Sequence, residues 1–231
     1  MTPIIQVKGV HRSYRVGGQT VHAVRGISLD ILPHQITAIV GRSGSGKTTL
    51  LNLIAGLDQP DEGEIWFDNT RLDQLPEPDL LALRRSQFGF VFQTFGLLPL
   101  LNAAENVSVP LRMRRMARAE RETRVEQALE WVGLRERARH RPYEMSGGEQ
   151  QRVSIARALV TQPRVILADE PTGQLDTRTG LKIIDLLRRA VAEQNVTVVI
   201  VTHDPKVMNA ADMVHELRDG QLIDSRPIAV Q

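Results

Sequence analysis

An apolar run rich in β-branched side chains, residues 36–40, stops at Gly41 and leads into Gly41-Arg42-Ser43-Gly44-Ser45-Gly46-Lys47-Thr48. No other stretch restricts the fold as much. The eight residues fit the pattern G-x-x-x-x-G-K-[ST] throughout. They are followed by a helix-like segment, residues 48–55, with Gly56 as its stop. A buried strand, a glycine loop and a helix start in this order make an anion site. Glycines let backbone N–H groups turn inward, and the helix offers its positive end to phosphate. Lys47 supplies a point charge to the β- and γ-phosphates, and the Thr48 hydroxyl is suited to Mg²⁺. The bland alternative is a Gly/Ser turn that happens to contain a lysine.

The strands around this loop set the rest of the layout. Residues 4–7 begin a strand, residues 16–19 form a turn, and residues 26–31 and 63–68 alternate apolar and polar side chains. From Asp79 to Leu159 the pattern is mostly helical, with breaks expected at Pro99, Pro110 and Pro142. Residues 165–168 and 196–202 are apolar strands separated by a helix near residues 178–193, a βαβ unit that predicts two parallel strands. The predicted organisation is one α/β core at both ends of the chain, residues 1–92 and 163–231, with a helical lobe inserted at 93–162. No repeat or low-complexity segment interrupts it.

Composition narrows the partners. The 231 residues include no cysteine, which removes disulfides and thiolate metal sites. A net charge of +2 gives no electrostatic case for nucleic acid. The first ten residues do not read as a secretion signal, and no apolar run reaches the roughly 18–20 residues that span a bilayer. A membrane function would require a partner.

Two further strand ends carry chemistry. Residues 165–168 run into Asp169 and Glu170, placed to hold Mg²⁺ and to orient an attacking water. Residues 196–202 end at His203 and Asp204. Ligands of open α/β sheets lie beyond the carboxyl ends of strands. The Gly41 loop, the Asp169-Glu170 pair and His203 all follow predicted strands, so His203 is a candidate partner of a γ-phosphate. His11, His22, His34, His140 and His215 show no such placement and read as surface or packing residues.

The segment Met145-Ser146-Gly147-Gly148-Glu149-Gln150-Gln151-Arg152 is the most discriminating. Ser146-x-x-Glu149 is a capping box, and Val153, Ala156 and Leu159 give the helix behind it a buried face. The glycine pair lets backbone N–H groups there approach an anion. The segment resembles the L-S-G-G-Q signature of ABC ATPases, and the resemblance covers essentially the whole chain in the family's motif order. It implies a P-loop NTPase (RecA-like) α/β core, an N-terminal antiparallel β subdomain and an inserted helical signature subdomain. It also implies that Tyr14 stacks on adenine and that Ser43, Gly44, Ser45, Gly46 and Thr49 join the ATP contacts. By resemblance Gln93 approaches Mg²⁺ and the water and reports occupancy, and Leu175 and Asp176 belong to a loop that crosses the dimer interface. Ser146, Gly147 and Gly148 would meet ATP held by a second copy. The implied cofactors are ATP and Mg²⁺. The implied partners are a second copy and an integral membrane permease, at the cytoplasmic face of the inner membrane.

The strings at residues 41–52, 167–173 and 201–204, with a short C-terminus after Gly220, look like the branch that serves lipoprotein release, macrolide export and cell division. Met145 stands for the usual leucine and Gln174 for the branch's asparagine. An ATP-driven regulator that pulls on a membrane complex without transport uses the same engine. A soluble ABC ATPase usually has paired cassettes, coiled coils or zinc modules, none of which this sequence carries. The arginines between Arg112 and Arg124 interleave with Glu120, Glu122 and Glu126 and read as a solvated helix face. Phe95, Leu97, Leu98, Leu100 and Leu101 cluster after Gln93, either as a groove for a permease helix or as packing for the helical lobe.

Overall fold

A computed structural model describes residues 2–228. The chain divides into two compact units, one running up to Arg84 and resuming at Thr197, the other spanning Arg85–Val196.

The first unit contains two sheets. Strands β1 (Ile5–Val16) and β2 (Gln19–Ile31) form an antiparallel hairpin, which continues through β4 (Glu62–Phe67) to β5 (Thr70–Arg71) in the order β2-β1-β4-β5. The hairpin turns at Gly17 and Gly18, both at positive φ (56° and 82°), the backbone that a tight two-residue connection between twisted strands demands. The second sheet of this unit is mostly parallel. Strand β3 (Ile36–Val40) lies between β8 (Thr197–Thr202) and β9 (Met213–Arg218), parallel to both, and β10 (Gln221–Pro227) pairs antiparallel with β9. Every residue of β3 and β8 is buried, which is why both read as continuous apolar runs. Helix α1 (Lys47–Ile54) follows β3 and α7 (Pro205–Asn209) follows β8. Helix α2 (Glu77–Gln87) contains the residues at which the first unit ends and the second begins.

The second unit holds a parallel strand pair, β6 (Phe88–Val91) and β7 (Val165–Asp169), with helices α3 (Ala103–Met113), α4 (Arg118–Trp131), α5 (Gly147–Leu159) and α6 (Thr177–Gln194). Helix α5 carries its apolar stripe inward, with Val153, Ala156 and Leu159 all buried. It comes so close to β6 that a Cβ at Gly89 would lie 2.6 Å from the Ala158 carbonyl oxygen.

Two features differ from the sequence reading. Strand β6 falls inside the stretch read as helical, because a short apolar run carries no period that separates strand from helix. Pro110 lies within α3 instead of breaking it. The proline forfeits one backbone bond near the helix end, but the turn around it keeps Val107 and Leu111 fully buried. The second compact unit groups β6, β7 and α6 with the helices α3, α4 and α5.

Candidate active site

In the first unit, β3 delivers the chain to the Gly41 loop. Gly41, Gly44 and Gly46 have φ of 156°, 79° and 96°. At Gly46 a Cβ would sit 2.1 Å from the Ala23 carbonyl oxygen, and at Gly41 one would sit 2.3 Å from that of Leu217. Backbone packing therefore requires glycine at both positions. Ser43 and Gly44 are exposed, and Ser45 is buried with no partner for its hydroxyl among the described residues. Lys47 is buried, and its ammonium donates to the carbonyls of Gly41 (2.9 Å) and Arg42 (2.9 Å). Its charge is thereby folded back over the loop. Helix α1 begins at Gly46 with no side-chain cap and no acidic residue in its first turn, so its positive end faces the loop without a protein anion in that turn.

Parallel pairing places His203 beside this loop. Val40 is opposite Thr202, so the chain leaves β3 and β8 at adjacent strand ends. His203 is exposed there. Tyr14 lies on β1. Its hydroxyl donates to Asp58 (2.5 Å), and the Arg12 guanidinium stacks 4.9 Å from its ring while binding Asp58 through Nε (3.0 Å) and Nη2 (2.6 Å) and Asp61 through Nη1 (2.9 Å). Burial pushes the Tyr14 phenol above its ordinary value, reinforced by the neighbouring Asp58 carboxylate, while a hydrogen bond from Thr49 opposes the shift. Tyr14 is thus tied to the helix that follows the loop. Arg12 and Asp58 were not singled out in the sequence, and their separation along the chain left no local signal.

In the second unit, register again organises the residues. Val91 pairs with Ala168 on parallel strands, so Gln93 and the Asp169-Glu170 pair leave adjacent strand ends. Asp169 and Glu170 are half-buried and Gln93 is exposed. Glu170 adopts a left-handed conformation (φ 46°), and Gly173 N–H donates to its carbonyl at 3.0 Å, closing a tight turn. A Cβ at Gly173 would lie 3.0 Å from Gln93 Nε2, so the amide of Gln93 rests against this turn.

The start of α5 is a complete capping box. Ser146 Oγ accepts from Glu149 N–H (3.3 Å), while the Glu149 carboxylate accepts from Ser146 N–H (2.8 Å) and from its hydroxyl (2.8 Å). The backbone N–H of Ser146 is the main cause holding the Glu149 carboxyl below its ordinary value. Gly148 is buried, and a Cβ there would lie 2.4 Å from Thr179 Cγ2. A Cβ at Gly147 would meet Leu175 at 3.3 Å. Asp176 caps α6, accepting from the N–H groups of Arg178 (3.0 Å) and Thr179 (3.1 Å). The signature glycines and the 175–179 segment thus lie together.

The first unit therefore gathers Tyr14, the loop, Thr48, Thr49 and His203. The second gathers Gln93, Asp169, Glu170, Ser146, Gly147, Gly148 and Asp176. The family model described as "ABC transporter" matches residues 24–173, from β2 through the Glu170 turn. This chain belongs to the ABC transporter family. It is an ATP-binding, ATP-hydrolysing cassette of that family. It is 44% identical over 96% of its length to a lipoprotein-releasing system ATP-binding protein, LolD 2, of Rhodopirellula baltica, covering 89% of that protein. It is 47% identical over 95% of its length to the macrolide export ATP-binding/permease protein MacB of Wolinella succinogenes, but spans only 34% of that protein. Its fold matches the cassette MJ0796 in a dimeric post-hydrolysis state bound to ADP and Pi, with a TM-score of 0.89 and 41% identity over 98% of this chain and 99% of that one. MJ0796 is from Methanocaldococcus jannaschii. The names of LolD 2 and MacB match the lipoprotein-release and macrolide-export branch that the motif strings resemble.

The remaining charges behave as structure. Arg118 pairs with Glu122 (2.7 Å) and Arg124 with Glu120 (2.8 Å) along α4, a solvated pairing as expected there. Arg114 departs from the expectation: it is half-buried between α3 and α4 in the chain and donates to the carbonyls of Arg85 (2.7 Å) and Thr161 (3.0 Å). His215 is buried, with Nδ1 2.8 Å from Ser225 Oγ. Among the described residues no helix is long and apolar enough to cross a membrane.

Proposed function

We propose that two copies of this cassette close head to tail around two ATP molecules and drive a membrane permease of the lipoprotein-release or macrolide-export kind. The reading rests on one observation above the others. Helix α1 begins at a left-handed glycine with no side-chain cap, beside a buried lysine folded over the loop. That arrangement fits a triphosphate, whose oxygens would accept from the loop N–H groups. In this reading Gly41, Ser43, Gly44, Ser45, Gly46, Lys47, Thr48 and Thr49 hold the phosphates, and Tyr14 stacks on adenine.

The donors assigned to Mg²⁺ are a hydroxyl (Thr48), an amide oxygen (Gln93) and a carboxylate (Asp169). Such hard oxygen donors fit Mg²⁺, which would neutralise developing phosphate charge when bound. Glu170 accepts a proton from the attacking water, His203 hydrogen-bonds the γ-phosphate, and Gln93 senses its presence. Hydrolysis is then mostly positioning and charge stabilisation. Ser146, Gly147 and Gly148 of one copy complete the site of the other, with Asp176 at the seam. The chain is read as one cassette, with an α/β core at residues 1–92 and 163–231 and a signature lobe at 93–162.

The permease contact is assigned to the loop after Gln93, where Leu98 and Leu100 are 48% and 81% exposed, large apolar surface beside the sensing glutamine. That contact would place the cassette at the cytoplasmic face of the inner membrane. Glu170→Gln tests the catalytic part. ATP affinity should stay within about twofold while hydrolysis falls at least tens-fold, more than ~1.4 kcal/mol of barrier. Parental turnover would remove Glu170 from the mechanism. Purification from detergent-solubilised membranes, with identification of the co-purifying integral protein, tests the permease.

A further inference from the structure

We infer that Gln151, in the buried face of the signature helix, is a positioning residue that fixes the geometry of Gln93 and Glu170. Gln151 is fully buried on α5. Its Nε2 donates to the carbonyl of Pro171 at 2.6 Å and to that of Phe92 at 3.4 Å. Phe92 immediately precedes Gln93, and Pro171 immediately follows Glu170. One amide thus ties the backbone flanking both residues assigned to the attacking water. Both acceptors are carbonyls, so the –NH₂ end of the amide must face them.

Two observations separate this arrangement from ordinary packing. First, Oε1 of Gln151 is buried with no hydrogen-bond partner among the described residues. A buried acceptor without a partner is a net cost that an apolar side chain of the same shape would avoid. The amide is held there for what its N–H groups do. Second, the backbone it grips is strained. Glu170 has φ 46°, a conformation that a non-glycine residue keeps only where its surroundings over-determine it. The hydrogen bond from Gly173 N–H to Glu170 O closes the turn from within, and the bond from Gln151 to Pro171 O anchors it from outside. Gln93 rests against the same turn at Gly173. A shift of α5 would move these carbonyls, and with them the carboxylate and amide that must meet one water.

The inference rests on the assignment of Glu170 and Gln93 to hydrolysis. It is tested with the full chain, using Gln151→Met, which keeps the shape and removes the donors, and Gln151→Leu. Each is measured for kcat, KM, ATP affinity by fluorescent-nucleotide titration, and thermal midpoint, alone and combined with Glu170→Gln. The expected result is a fall in kcat of about tenfold or more, with KM and ATP affinity within about twofold, since misplacing catalytic groups by about an ångström costs rate and not ground-state binding. In the Glu170→Gln background the same change should lower residual hydrolysis by less than about twofold, because residues that act through one another do not add. Three results would overturn the proposal: parental kcat in Gln151→Met, losses that multiply in the double variant, or loss of ATP binding or folding in both single variants. The last would leave Gln151 as a packing residue. If Glu170→Gln alone retains the parental rate, the underlying assignment of Glu170 has failed, and the single Gln151 variants separate that result from failure of the tether.

Discussion

Helices α1 and α5 both begin among glycines, yet they treat their first backbone N–H groups in opposite ways. The start of α1 is a left-handed Gly46 with no side-chain cap and no acid in the first turn. The start of α5 is Ser146 in an extended conformation, closed by a reciprocal box with Glu149. The glycines differ in the same sense. Those at Gly41 and Gly46 admit no Cβ because backbone carbonyls crowd them, whereas Gly148 admits none because the Thr179 side chain does. In the proposed reading the α1 start, with no side-chain cap, receives a phosphate. The other already holds the Glu149 carboxylate, so a phosphate arriving there must share the Ser146 N–H and hydroxyl with it or displace it. Phosphate binding at α1 should therefore be a property of one chain, and at α5 a conditional one.

The sharpest break in that comparison is Lys47→Ala. It should weaken ATP binding and hydrolysis at least about 100-fold, ~2.7 kcal/mol, in nucleotide titration and phosphate-release assays. Unchanged affinity would show that α1 is not the primary phosphate site. Ser146→Arg comes next. The single chain should bind nucleotide as the parent does, but ATP should no longer shift it to a dimer on a sizing column; a persisting shift would rule out an α5 role across two copies.

Gly148→Ala separates packing from anion approach. The added Cβ at 2.4 Å from Thr179 Cγ2 should destabilise the fold by about 1–3 kcal/mol, seen as a lower thermal midpoint, with recovery in the double variant carrying Thr179→Ser. A stable single variant that still fails to dimerise would mean the glycine serves the ligand and not the helix pair.

Glu149→Gln is the mildest. The folded Glu149 carboxyl lies below its ordinary value, chiefly through the Ser146 N–H. Its contribution is therefore present above the unfolded value of about 4.3 and is lost as pH falls through the folded one. The variant should cost about 0.5 kcal/mol in urea titration at pH 7, and the gap to the parent should narrow toward pH 4. A gap that does not change with pH would mean the carboxylate charge does not stabilise the cap.

Much of this molecule is written locally. The strand before Gly41, the loop and the helix behind it are contiguous, as are residues 165–170 and the Ser146–Glu149 box, so steric preference, burial and capping act within a few residues and can be read directly. The same locality carried the family resemblance. The helical stretch misled where local signals conflict: Phe88–Val91 is too short to show a period, and the buried faces of α3 outweigh Pro110.

Local order along the chain specifies an inventory: most of the strands and helix starts, where phosphate-binding backbone can form, and which family the chain enters. Packing between distant segments holds those parts in place. Tyr14 is anchored directly to Asp58, which Arg12 also binds, Gly148 is dictated by Thr179, and the Glu170 turn is gripped by Gln151. Each depends on atoms brought together from distant positions, and contact between distant residues is set by packing and not by the local preferences that a sequence displays.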